Sequence, residues 1–230
     1  TDIVLPTAPL KANDPEYQAY VQTRRELAFN AWPTCPDFPY TDDEHATWDF
    51  VFSLLKPICP WYFTSNYQRG MEELQLEAAA PPNFPRLCDH VEQCSGAEIL
   101  QIREMLVDPE VQFWTAIAHR CFPINPYMRA PDEPFASEGQ DLIWGMLGLA
   151  PMLTNPAYVD ALHYIATVIL HGRKRWGAQK ACRLSELYAL WQIVVDYGLF
   201  REDGEVKLFG ATLASNLGAL LSPLDPTGDC

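Results

Sequence analysis

Apolar side chains return at every third or fourth position near residues 184–195: Leu184, Leu187, Leu190, Trp191, Val194 and Val195. That spacing closes one face of a helix, so residues 178–197 are predicted to be helical, with Gly198 ending the run. Helix starts are marked where a capping side chain precedes a proline, at Asp14-Pro15, Asp108-Pro109 and Asn155-Pro156. Proline loses nothing at the first helical position, where its missing N–H would have no partner. Thr41 with Glu44 adds a capping box. Helices are therefore predicted to begin near residues 15, 42, 109 and 156. Strand-like pieces are few and short, at 98–102, 124–128 and 206–209. The pattern predicts a mostly α fold with a small β component.

Length and charge narrow the picture. A chain of 230 residues, 48% hydrophobic and 12% aromatic, can bury one sizeable core, and residues 1–230 are expected to form a single domain. Twenty prolines imply many breaks between elements, including Pro-rich loops at 81–85 and 130–134. A formal net charge of −14 argues against nucleic acid or an anionic membrane as partner. The apolar run 187–195, interrupted by Gln192, is too short to span a bilayer and the N-terminus shows no secretory pattern, so a cytoplasmic location is expected. Seven cysteines show no metal-type spacing, which predicts incidental thiols. The basic cluster Arg173, Lys174, Arg175 reads as a solvated turn or, if it folds over a pocket, as a phosphate contact.

No His-Glu-x-x-His, phosphate-binding glycine loop or Gly-x-Ser-x-Gly elbow is present. The five histidines do not share a face at ligand spacing with a nearby acid, and no metal is expected among them. What does carry chemistry is a series of blocks in fixed order: 40–48 (YTDDEHATW), 106–113 (LVDPEVQF), 122–129 (FPINPYMR), 148–153 (GLAPML), 196–199 (DYGL) and 209–215 (FGATLAS). Together these resemble the catalytic domain of the pterin-dependent aromatic amino acid hydroxylases, most closely the bacterial phenylalanine hydroxylases, across residues 40–218.

The resemblance implies that family's helical fold. It also implies that two histidines five apart and a later glutamate should bind iron, but the matching positions here are Trp144, Leu149 and Asp196. Indole and isobutyl groups give iron no lone pair, so one carboxylate remains. The family's pterin-contacting glutamate matches Gly145, whereas Phe113 matches the ring that stacks on the pterin. No cofactor is therefore expected. Arg129 matches the arginine that grips the substrate carboxylate, Asp141 the acid that orients it, and Ser215 a nearby serine. The alternative for Arg129 and Asp141 is a structural ion pair.

The resemblance thus implies loss of oxygen chemistry with retention of an amino acid site. The first expectation is a metal-independent enzyme acting on an aromatic amino acid such as a tryptophan derivative. Its concrete form is a Pictet-Spengler condensation with an aldehyde co-substrate. Asp196 would be the general base, with Arg129, Asp141, Ser215, Trp144, Phe113 and Trp191 around the substrate. Asp196 could equally be a relic bonded to its neighbours. Two further classes stay open: a non-catalytic binder or scaffold, and a hydroxylase with relocated ligands. No heptad-patterned tail is present, and oligomeric state is left open.

Overall fold

The computed structural model describes residues 10–31, 37, 39–101, 109–135, 137, 139–176 and 181–218. After a single 3-10 turn at Leu10–Asn13, the described chain runs through α1 (Pro15–Ala31), α2 (Asp42–Tyr62), α3 (Ser65–Glu73) and α4 (Phe84–Ser95). There follow β1 (Glu98–Gln101), α5 (Pro109–Ala118), β2 (Cys121–Ile124) and a π-helical turn at Trp144–Leu149. The last elements are α6 (Ala150–Leu153), α7 (Pro156–Trp176), α8 (Ala181–Val195), β3 (Leu199–Glu202), β4 (Glu205–Leu208) and α9 (Ala211–Ser215). The fold is mostly helical, as the periodicity predicts.

All four predicted helix starts are observed, at Pro15, Asp42, Pro109 and Pro156. The capping box forms as expected: Thr41 Oγ1 accepts from Glu44 N, and Glu44 returns a carboxylate oxygen to Thr41 N at 2.8 Å. Glu44 also anchors α1, because its carboxylate takes the buried Arg24 guanidinium and the Tyr20 hydroxyl. Asp108, Ile102 and residues 178–180 lie outside the described residues.

Several expectations are corrected. The predicted strand at 124–128 is displaced: β2 ends at Ile124, and it pairs in parallel with β1. Beyond Ile124 the backbone finds other partners, with Asn125 N donating to Gln140 O, Leu142 N to Tyr127 O, and Met128 N to the Tyr20 hydroxyl. Backbone satisfied by loops and side chains has no need of a ladder. The piece at 206–209 is real, as β4, but its antiparallel partner β3 had no alternating pattern to reveal it. In α8, Trp191 and Val195 are buried, whereas Leu190 is 42% exposed, so the apolar face is narrower than predicted; the Leu184 side chain lies outside the described residues. Arg173, Lys174 and Arg175 are the last turn of α7 and not a loop, where cations suit the helix C-terminus.

The core is built around Trp48, Phe52 and Leu55 of α2, Phe63, Tyr67 of α3, and the wholly buried stretch 141–154. Tyr67 donates to Leu147 O at 2.6 Å, tying α3 to the π-turn. Gly70 lets α3 approach α6 closely, since a Cβ there would lie 1.9 Å from Pro151 O. None of the described helices is long and apolar enough to cross a membrane. Cys59, Cys94 and Cys121 are free thiols.

Candidate functional site

A cavity of about 270 Å3 opens where the π-turn, the end of α8 and α9 meet; its walls include Arg129, Trp144, Asp196, Thr212 and Ser215. The π-turn decides what the first of these walls presents. Its i→i+5 bonding, closed by Ala150 N donating to Gly145 O, stacks residues five apart on one side, and Trp144 and Leu149 stand in that relation. Such turns recur at functional sites because they re-aim side chains at a cost in regular geometry.

Asp141 caps this turn and holds Arg129. Its Oδ1 accepts from Trp144 N at 3.0 Å and from Arg129 Nη2 at 2.7 Å, and its Oδ2 accepts from Arg129 N at 2.9 Å and Arg129 Nε at 2.8 Å. Arg129 is 4% exposed and the Asp141 side chain 0%. Arg129 Nη1 donates to Ser215 O at 2.9 Å and Pro134 O at 3.3 Å. Ser215 therefore meets Arg129 through its carbonyl, while its hydroxyl donates to Thr212 O at 3.4 Å.

Across the cavity, Trp144 Nε1 donates to Asp196 Oδ1 at 3.3 Å and to Thr212 Oγ1 at 3.2 Å, and Thr212 Oγ1 donates to Asp196 Oδ1 at 2.9 Å. The backbone carbonyl of Asp196 accepts from Thr212 N and Leu213 N, which locks the carboxylate to the start of α9. Burial raises the Asp196 pKa above the ordinary value of 3.8, and the hydrogen bonds from Thr212 and Trp144 oppose that rise. Tyr158 contributes a buried hydroxyl with no hydrogen-bond partner among the described residues; burial first, and the Asp196 charge after it, keep it protonated.

Of the residues singled out by sequence, Arg129, Trp144, Asp196 and Ser215 line one cavity, with Asp141 directly behind Arg129. Phe113 and Trp191 do not line it, which corrects the expectation that they wall the substrate slot. Their rings meet edge to face at 5.7 Å, and Trp191 also packs on Trp114 at 5.1 Å, with Tyr188 stacked beyond. Aromatic rings of α5 and α8 satisfy one another there, as core residues do. Thr212 was missed by sequence reasoning, although it sits inside the block 209–215; a lone threonine carries no signal until its neighbours are known.

The architecture is that of an aromatic amino acid hydroxylase catalytic domain. It superposes on Chromobacterium violaceum phenylalanine hydroxylase (F258A form) with a TM-score of 0.74 at 23% identity, covering 90% of this chain and 73% of that one. The same enzyme bound to iron(III) and oxidised 7,8-dihydrobiopterin gives 0.73 at 21% identity, covering 89% and 73%. The chain belongs to the biopterin-dependent aromatic amino acid hydroxylase family, whose model matches residues 8–227. Among known relatives, Ralstonia nicotianae phenylalanine-4-hydroxylase is 25% identical over 190 residues, 83% of this chain and 58% of that protein. Caenorhabditis briggsae tyrosine 3-monooxygenase is 29% identical over 186 residues, 79% and 34% respectively. The chain thus spans less than two thirds of the length of these relatives.

The described residues of the cavity do not fit a metal ion such as the iron(III) of the Chromobacterium violaceum structure. The Trp144 N–H is directed at Asp196, Leu149 is apolar and buried, and no group of three His, Cys, Asp or Glu side chains that could hold a metal ion occurs among the described residues. At Gly145 a Cβ would lie 2.7 Å from Ile124 Cδ1 and 3.1 Å from its Cγ2, so this position has no room for a side chain without displacing Ile124.

Proposed function

We propose that this chain is an iron-free, pterin-free member of its family that works in the cytoplasm, holding an aromatic amino acid or a derivative of one in the cavity and moving protons on it through Asp196. The observation that carries the proposal is the Trp144 indole N–H donating to the Asp196 carboxylate, a neutral donor on a charged acceptor inside the cavity. Both hydrogen bonds that the Asp196 carboxylate receives from the described residues go to Oδ1, which leaves Oδ2 available to a ligand. A carboxyl whose pKa burial has raised exchanges protons with substrate more readily than an ordinary surface acid.

The most concrete reaction of this kind is a Pictet-Spengler condensation. The substrate amine adds to an aldehyde carbonyl and water leaves, giving an iminium. The indole ring forms the new carbon–carbon bond to the iminium carbon. Asp196 then takes the proton lost from the ring, which restores aromaticity. Water is the only by-product, and no oxidant is consumed. The cavity, at about 270 Å3, is slightly smaller than common ligand pockets of about 300–1,000 Å3, which favours a short aldehyde over a bulky second substrate.

The test is incubation of metal-analysed protein with tryptophan and a short aldehyde, with product followed by mass spectrometry above the uncatalysed background. A product of summed mass less one water is expected. Asp196→Asn should lower the rate about 100-fold or more, the usual scale of general base catalysis. Turnover unchanged in that variant would sink the mechanism.

One observation favours a second reading, a non-catalytic binder. Four of the five side-chain N–H groups of Arg129 are engaged within the protein, as in a structural ion pair. That reading predicts ligand binding with no product from any aldehyde.

A further inference from the structure

We infer that the ligand for which this cavity is built is an aromatic primary amine lacking a carboxylate, held as its ammonium by Asp196; the inference rests on the proposal that Asp196 faces the ligand. Among the described residues, two side chains of opposite charge line the cavity, Arg129 and Asp196. Their situations differ. The Arg129 charge is matched by Asp141, whose two oxygens occupy Nε at 2.8 Å and Nη2 at 2.7 Å, and Nη1 is turned to two backbone carbonyls. A guanidinium grips a carboxylate strongly by offering two parallel N–H groups, and Asp141 has taken that fork. One N–H on Nη2 is left for anything in the cavity.

Asp196 has no such match. Its donors among the described residues are an indole N–H and a hydroxyl, both neutral, and of the described lysines and arginines Arg129 alone lines the cavity. With Arg129 and Asp141 cancelling, the described residues of the site keep one negative charge, that of Asp196. An ammonium at Asp196 Oδ2 neutralises it. A carboxylate on the same ligand would bring a second anion to a guanidinium already paired, and would leave part of its desolvation uncompensated. Phe135, Trp144 and Tyr197 on the walls offer apolar surface to an aromatic ring. A cavity near 270 Å3 suits one such amine.

Three probes that share one ring separate the possibilities: tryptamine, tryptophan and indole-3-propionate, titrated calorimetrically into wild-type protein and Asp196→Asn, with the variant's melting curve as the check on folding. Tryptamine is expected to bind about tenfold or more tightly than tryptophan, indole-3-propionate not at all, and Asp196→Asn to weaken tryptamine binding about tenfold or more, the scale of one charge-assisted hydrogen bond. Tryptophan binding more tightly than tryptamine, or tryptamine binding equally to wild type and a folded Asp196→Asn, overturns the inference and leaves amino acid binding standing. Failure of all three probes to bind wild type overturns both this inference and the proposed function. The ranking in wild type decides between amine and amino acid even if the variant does not fold.

Discussion

The indole N–H of Trp144 reaches the carboxylate of Asp196 at 3.3 Å across 52 positions of sequence, with Thr212 Oγ1 bonded to both. This arrangement stabilises the ionised form of Asp196, while burial opposes ionisation more strongly and raises the pKa. An acid whose pKa rises on folding holds more protons folded than unfolded between the two values. Stability therefore falls as pH rises through that window, starting at the ordinary value of 3.8, and stays lower above it. Asp196→Asn should gain stability over wild type at neutral pH and lose that gain below 3.8. Urea unfolding of both proteins at each end of the window checks the sign.

Arg129 and Asp141 form a pair almost fully removed from water. Arg129→Met should cost about 3–5 kcal/mol, because Asp141 would stay buried with its charge uncompensated. Adding Asp141→Leu should recover a large part of that loss. Denaturant midpoints of the two single variants and the double variant measure the coupling; additive losses would contradict it.

Tyr158 keeps a buried hydroxyl without a hydrogen-bond partner among the described residues and packs its ring edge to face on Phe209 at 6.2 Å. Tyr158→Phe removes the unmet group and keeps the ring, so it should stabilise by about 1 kcal/mol, read as a rise in melting temperature. A drop would mean that the hydroxyl has a partner in solution.

Gly148 lies inside the π-turn against the start of α9, and a Cβ there would sit 2.4 Å from Ala211 O. Backbone cannot yield as a flexible side chain can. Gly148→Ala should cost about 1–3 kcal/mol and push α9 away, and with it Thr212, so ligand affinity should fall alongside stability. Calorimetric titration of the folded variant tests the second part.

Local signals carried much of the fold. Caps act within one turn, so Thr41 with Glu44 and the Asp14-Pro15 and Asn155-Pro156 steps mark helix starts correctly. The strand expected at 124–128 fails for the opposite reason: nothing in those residues reveals that Gln140 O and the Tyr20 hydroxyl would take their N–H groups. The helices α3 and α4 are capped by Thr64 and Asn83, which their neighbours did not distinguish from loop residues.

The candidate site divides along the same line. Family blocks in the sequence by itself pointed to Arg129, Asp141, Trp144, Asp196 and Ser215, because motif order is legible in sequence even where single residues differ. Only the tertiary structure decided that Phe113 and Trp191 pack into an aromatic cluster, that Thr212 joins Trp144 and Asp196, and that the Arg129 fork is already occupied by Asp141. Hydrogen bonds and charge pairs between residues far apart in sequence depend on which elements pack together, and that is set by the whole core and by no local pattern.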